Sequence, residues 1–480
     1  MRQYVSQIRN KFNSTAKICT TAGIAASIVF AGCTTYHEMP ITAESISSAL
    51  SEPDMQEVRI QASKFRHQLM KPIVFDERDG LSPEEAAILA ITINPTLKAV
   101  RDHNKIAAAR LIQAGILPNP KISYEFGIPV TNDTQDSGIS WGLGLDWNVT
   151  SMLSRGPRVA SAKANLSVAE LSIAWQEWQV AEAARLHAYE LLIRKEHLQI
   201  ARQADVSAKQ WLQTVRSAVK SGLKTRQELA EAETVSQSTE IYLLKIQAEL
   251  SREKLAFNRT LGIPPQSEIP LQNKEKQQLP VNLSAPVIFE IARTNRLDLL
   301  AMKTGYQAQE HKLRAAVKSQ FPKIELGLIG EQDTDGIKTI GAGVKINLPF
   351  FDRNQGHIAI ERATRQQLFD EYHARIFETR ADIARLVAAV NAVRRQLELS
   401  ESAVTKQNCL VDKLKTALED STTDAALYRT ALQSLYRKQS IHIRLRQKLL
   451  ELGIALEISS GCYGIVAPSN HLSTITEASK

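Results

Sequence analysis

Two periodicities divide the chain. One is the strict alternation of a half-buried strand. In Ser140-Trp-Gly-Leu-Gly-Leu-Asp-Trp-Asn-Val149, residues Trp141, Leu143, Leu145, Trp147 and Val149 share one face, and Ser140, Gly142, Gly144, Asp146 and Asn148 share the other. The same alternation returns with Ile340, Ala342, Val344, Ile346 and Leu348 against Gly341, Gly343, Lys345 and Asn347. Shorter apolar stretches, Lys121 to Pro129 and Lys323 to Gly330, predict a hairpin partner for each. The other periodicity is helical. After Gly156-Pro157 a stretch free of Pro and Gly runs to about Ser221, with Val159, Ala162, Leu166, Ala169 and Ile173 spaced as in a coiled-coil seam. A second run covers Thr225 to Leu261, with Leu243, Ile246 and Leu250 in step. Gln355 to Asp420 and Thr423 to Ser460 follow, the last with Leu445, Leu449, Leu452 and Leu456 on one face. At about 1.5 Å per residue, a helix of this length reaches roughly 100 Å, longer than a globular core.

These patterns occur twice. Asn94-Pro-Thr-Leu-Lys-Ala99 corresponds to Asn295-Arg-Leu-Asp-Leu-Leu-Ala301, Pro120-Lys-Ile to Pro322-Lys-Ile, Asp146-Trp-Asn-Val to Lys345-Ile-Asn-Leu, and Leu261-Gly262 to Ser460-Gly461. The near-constant offset reads as duplication of a half-domain, not as a short solenoid unit. The predicted organisation is a secretory signal over 1–32, an N-terminal segment over 33–80, a first repeat over 81–263, a Pro-rich linker over 264–284, a second repeat over 285–461 and a polar tail over 462–480. The fold class predicted is mainly α with transmembrane β.

Composition narrows this further. Charged residues are 23% and hydrophobic ones 43%, which excludes wholesale disorder, and aromatics at 6% favour long helices over an all-β fold. The net charge of +8 includes Arg2, Arg9, Lys11 and Lys17 of the N-terminal segment, and losing those four halves the surplus. No basic cluster with interleaved aromatics argues for nucleic acid. The N-terminal basic residues precede a short apolar run, Ile18 to Phe30, and then Phe30-Ala-Gly-Cys33. That order suits a secretory signal, and two small residues before a cysteine resemble a lipobox, which would leave Cys33 lipidated. Thr34 resembles a signal for sorting to the outer membrane. An ordinary cleaved signal or an uncleaved anchor are the alternatives. Cys409 and Cys462 form no metal spacing, and the covalent lipid is the one prosthetic group expected.

A strand of this length, apolar on one face and polar on the other with aromatics near its ends, has the pattern of a transmembrane barrel strand; a half-buried sheet in a soluble domain alternates in the same way. Lipid tolerates no unpaired sheet edge, so four such strands imply strands from further copies. Three copies would supply about twelve, within the range of outer-membrane barrels. Trp141, Leu143, Leu145, Trp147, Ile340, Val344 and Ile346 are the residues expected to face lipid.

Gln113-Ala-Gly-Ile-Leu-Pro-Asn-Pro120, Leu261-Gly262 and Leu348-Pro-Phe-Phe-Asp-Arg-Asn-Gln-Gly356 resemble the TolC family of outer-membrane efflux proteins over roughly Leu81 to Gly461. Asp352-Arg-Asn-Gln-Gly356 resembles the branch serving heavy-metal cation exporters. The resemblance implies a homotrimer with a twelve-strand barrel continued by a helical periplasmic tunnel. It also implies a periplasmic adaptor and an inner-membrane pump as partners. No catalytic motif is present. His187 and Glu190 lie one turn apart, without further ligands to make a metal site. By resemblance, charges beyond the helix turns at Ser221-Gly222 and Asp420-Ser421 would narrow the periplasmic entrance. These are Glu228, Glu231, Asp424 and Arg429. Export of proteins through a type I system and a non-pore coiled-coil lipoprotein are the competing readings.

Overall fold

A computed structural model describes residues 35–64, 67–70, 75, 79–130, 138–272, 283–420 and 422–463. Cys33 and the predicted signal lie outside these residues, as do residues 273–282 of the linker, Ser421 and nearly all of the predicted tail. Residues up to Ser51 form one unit, whose helix α1 (Ala43–Ala49) starts from a reciprocal cap between Thr42 and Ser45. Everything else described here belongs to the second unit.

That unit is one motif built twice. The first copy runs α2 (Met55–Lys64), α3 (Pro83–Ile93), α4 (Pro95–Gly115), β1 (Lys121–Gly127), β2 (Ser140–Asn148), α5 (Ser151–Lys220) and α6 (Arg226–Leu261). The second runs α7 (Ala285–Asn295), α8 (Leu297–Lys318), β3 (Lys323–Gln332), β4 (Lys338–Asn347), α9 (Gln355–Glu419) and α10 (Ala425–Ser460). Apart from α2, the copies match element for element.

The helix ends follow local chemistry. Ser82 and Glu85 cap α3 reciprocally with Pro83 in its first turn, and Thr225 and Glu228 do the same for α6. Gly262 and Gly461 close α6 and α10 in the left-handed conformation, φ 85° and 62°. Both positions also lack room. A Cβ on Gly262 would lie 2.5 Å from the Pro95 ring, and one on Gly461 would lie 3.0 Å from Cα of Arg296. Asn94 donates to the Thr260 carbonyl at 2.8 Å, and Arg296 to that of Ser459 at 3.4 Å. The residue equivalent to Asn94 is therefore Arg296, one later than the Asn295 that alignment of the two stretches suggests. Arg296 is the link between two helices, whereas Asn295 still belongs to α7.

One boundary departs from expectation. The long helix of the first half starts at Ser151 and runs through Gly156-Pro157. Proline removes one backbone donor near a helix start, where tertiary contacts can compensate. Arg155 donates to the Gly115 carbonyl at 2.8 Å and Ser161 to that of Ala308 at 2.9 Å, holding this stretch against α4 and α8.

Equivalent cores support the two copies. Leu89, Ala188, Leu191, Phe257 and Leu261 pack α3, α5 and α6; Ile288, Ala292, Ile383, Val390 and Leu456 pack α7, α9 and α10. Tyr189 and Ile193 of α5 meet Ile443, Leu450 and Ile454 of α10 and join the copies. Truncating a residue buried like Leu456 costs about 2–5 kcal/mol. No helix among the described residues is long and apolar enough to cross a membrane.

Candidate functional site

The strands form one antiparallel sheet in the order β1-β2-β3-β4, so the two halves join at β2–β3. The register aligns every alternation. Phe126, Trp141, Gln332 and Lys338 share a rung, as do Tyr124, Leu143, Gly330 and Ile340; Ile122, Leu145, Leu328 and Ala342; and Trp147, Leu326 and Val344. Ile346 pairs with Ile324 one rung further. The seven residues expected to face lipid thus fall on one face, apolar except at its hairpin end, where Gln332 pairs with Lys338. It is solvent-facing in this single copy, with Ile340 91% exposed and Val344 62%. An apolar sheet face so open needs another solvent or partner. Trp147 satisfies its indole N–H on the Pro118 carbonyl at 2.9 Å, and Trp141 on Gln332 at 3.3 Å, so both half-buried rings have their polar atom paired.

The opposite face is polar and sorted by charge. At the helix-proximal end, Lys345 pairs with Asp146 at 2.9 Å across Gly327, whose missing side chain clears the path: a Cβ there would lie 2.6 Å from the Asp146 carboxylate. Lys121, Lys323 and Glu325 share that end. Toward the hairpins, one rung reads Glu125, Gly142, Glu331 and Thr339, with no lysine. On the same face the nearest lysine along a strand, Lys121, is four residues from Glu125, while Lys338 directly precedes Thr339 at the start of β4.

The four tip residues take different roles. Glu228 caps α6 and pairs with Lys224; the hydrogen bond from Lys224, helped by the Thr225 backbone N–H, pulls its carboxyl down to about 2, so it stays ionised. Asp424 caps α10 by accepting from the Ala426 N–H at 3.1 Å. Glu231 is exposed and accepts a hydrogen bond from Gln227. Arg429 alone reaches across the repeat. It donates to the Ser207 carbonyl at 2.7 Å and to the Ser207 hydroxyl at 2.8 Å, with its guanidinium 5.3 Å from the Trp211 ring centre. Lys224 sits on the same ring at 5.7 Å. The four are therefore two helix caps, one exposed carboxylate and one cross-tie, and they do not form one cluster. Ser207, Trp211 and Lys224 escaped sequence reading, because the partner of Arg429 lies 222 residues earlier.

His187 and Glu190 sit in an ion-pair network. His187 contacts Glu253 at 2.6 Å, and Arg194 reaches Glu190, Glu249 and Glu253. Burial, with the nearby Glu253 carboxylate, pushes Glu190 up to about 7. Among the described residues no group of three or more His, Cys, Asp or Glu side chains could hold a metal ion.

A family model described as "Outer membrane efflux protein" matches residues 288–461. The cobalt-zinc-cadmium resistance protein CzcC of Cupriavidus metallidurans is 25% identical over 311 residues, covering 64% of this chain and 72% of that protein. The cation efflux system protein CusC of Escherichia coli K12 is 22% identical over 276 residues, 55% of this chain and 58% of its own length. Among solved structures, the outer-membrane channel OprN superposes with a TM-score of 0.68 at 14% identity, over 90% of this chain and 99% of that one, which establishes the shared fold.

Proposed function

We propose that the protein is the outer-membrane channel subunit of a tripartite efflux system that exports heavy-metal cations; the match of residues 288–461 to the outer membrane efflux protein family supports this reading. The observation that carries this reading is the sheet: four strands, one face apolar up to the Gln332–Lys338 pair at the hairpin end, one polar face, and two open edges at β1 and β4. In hydrocarbon an unpaired edge costs several kcal/mol per orphaned group, so β1 of one copy pairs with β4 of the next. Three copies close a barrel of about twelve strands. The polar face then lines the lumen, and the helices extend it through the periplasm toward an adaptor and an inner-membrane pump.

CzcC, named for cobalt-zinc-cadmium resistance, and CusC, named for cation efflux, support this cargo, and a lumen face with an acidic rung agrees with it. A wide aqueous conduit passes ions without coordinating them, and neither catalysis nor a resident cofactor enters this reading. Deleting the gene is expected to sensitise cells to cobalt, zinc or cadmium salts, with tolerance restored by the intact chain. Unchanged metal tolerance combined with new sensitivity to dyes or detergents would move the cargo to organic solutes.

In this reading Arg429 latches the entrance closed by tying α10 to α5, and the exposed Glu231 adds to a charged ring at the same level. Charge-assisted hydrogen bonds of this kind contribute roughly 1.5–3 kcal/mol. Arg429→Ala is therefore expected to raise the open fraction of single channels by about tenfold or more. Conductance traces indistinguishable from those of the unaltered protein would remove Arg429 from the gate.

A further inference from the structure

Where α5 crosses α10, three ionisable side chains are sealed from solvent together: Glu182 is 0% exposed, Glu457 1% and Arg185 3%. One nitrogen of Arg185, Nη1, lies 2.8 and 2.7 Å from the two oxygens of Glu182 and 2.7 Å from Glu457 Oε2. The Tyr463 ring covers the guanidinium at 4.7 Å. On the α3 side, Nε is 4.0 Å from Glu84, which accepts a hydrogen bond from the Tyr189 hydroxyl at 3.1 Å. Two buried carboxylates therefore converge on a single cation. With both ionised, the site carries an excess negative charge in a medium that solvates it poorly, which costs several kcal/mol. A proton on one carboxyl removes that excess and lets the pair share a hydrogen bond.

We propose that one proton held by the Glu182–Glu457 pair on Arg185 locks α10 onto α5, so that the docking of the two halves weakens once that proton is lost at alkaline pH. The lock is independent of the channel reading. If that reading holds, it sits on the contact between the helix pairs that would form the tunnel.

Burial first, and the adjacent Glu457 carboxylate next, push Glu182 up to about 8, against the opposing pull of Arg185. Burial alone would lower Arg185, but Glu182 and Glu457 overcome it and keep the guanidinium charged. The other groups facing the site are steady. Burial raises both tyrosines, Tyr463 to about 12, so they stay neutral. One helical step away, Arg296 is held by Asp298 at 2.6 Å while it donates to the Ser459 carbonyl. The sign follows from linkage. A carboxyl raised in the folded state favours folding fully below its unfolded value of 4.5, and that contribution declines as pH rises to about 8 and is gone above it. Glu190 titrates over part of the same window, so only a difference between variants isolates the lock.

The test uses the full chain purified in detergent, melted at pH 6 and pH 9.5, as the unaltered protein and as Glu182→Gln, which mimics the protonated carboxyl. The unaltered protein is expected to lose melting temperature between the two pH values, and Glu182→Gln to lose clearly less. At pH 9.5, amides of α5 near Arg185 and of α10 near Glu457 are expected to exchange at least about tenfold more slowly in the variant, since each unit of raised pKa is a factor of ten. If Glu182→Gln does not fold, Glu457→Gln removes the same excess charge and decides the question by the same flattening. Parallel pH dependence in variant and parent, or faster exchange in the variant at pH 9.5, would overturn the proposal.

Discussion

At the scale of single residues, the clearest device is the stop at the end of each copy. Gly262 combines φ 85° with a Cβ position already occupied by the Pro95 ring. Strain of this kind costs about 1–3 kcal/mol and the clash adds to it. Gly262→Ala is therefore expected to lower the melting temperature by several degrees and to loosen the α3–α4 corner. A melting temperature within one degree of the parent would show that the corner relaxes freely. The Leu261-Gly262 and Ser460-Gly461 pairs were legible in the sequence as repeat markers. Their reason, the approach of Asn94 and Arg296, was not, because it depends on chain segments more than 160 residues apart. Glu228 teaches the opposite lesson. Its acidity and its place near the turn suggested a gate, yet its position three residues after Thr225 also fits a helix cap, and the cap is what its oxygens make.

At the scale of elements, alternation was enough to identify β2 and β4 and the face each of their residues takes, because a period of two leaves little choice once one face is apolar, whereas β1 and β3 were legible only as shorter hairpin partners. The pairing of β2 with β3 was not legible. It is set by Thr150, which donates to the Pro322 carbonyl at 3.1 Å and accepts from the Ile324 N–H at 2.6 Å, so that the base of one hairpin locks to the other. Neighbouring positions on β3 therefore predict opposite outcomes. Leu328→Arg places a charge on the apolar face and is expected to cost about 2–4 kcal/mol in a membrane-inserted barrel. Ile329→Ser, one residue on and on the opposite face beside Gly144 and Gly341, is expected to be tolerated. Refolding yields in lipid vesicles read both, and equal yields would mean that neither face meets lipid. On the lumen face, replacing both Glu125 and Glu331 by Gln in the open Arg429→Ala background is expected to lower the cation-to-anion permeability ratio by about twofold or more, because a ring of one sign concentrates counter-ions. An unchanged reversal potential would locate selectivity elsewhere.

At the scale of the whole molecule, length and duplication made the architecture readable. Four helical runs longer than any globular core, with a hairpin beside each pair, leave few ways to bury the apolar strand faces. The sheet ends in two unpaired edges, and those edges make a single copy an incomplete object in lipid. Assembly of several copies into a closed pore would remove both edges. The most direct test is single-channel recording of the detergent-purified full chain in planar bilayers, with its mass measured in the same preparation. A species of three copies that inserts and gives discrete conductance steps, rarely open until Arg429 is replaced, is the predicted result. A single-copy species that gives no conductance steps and leaves membranes with salt alone would contradict it.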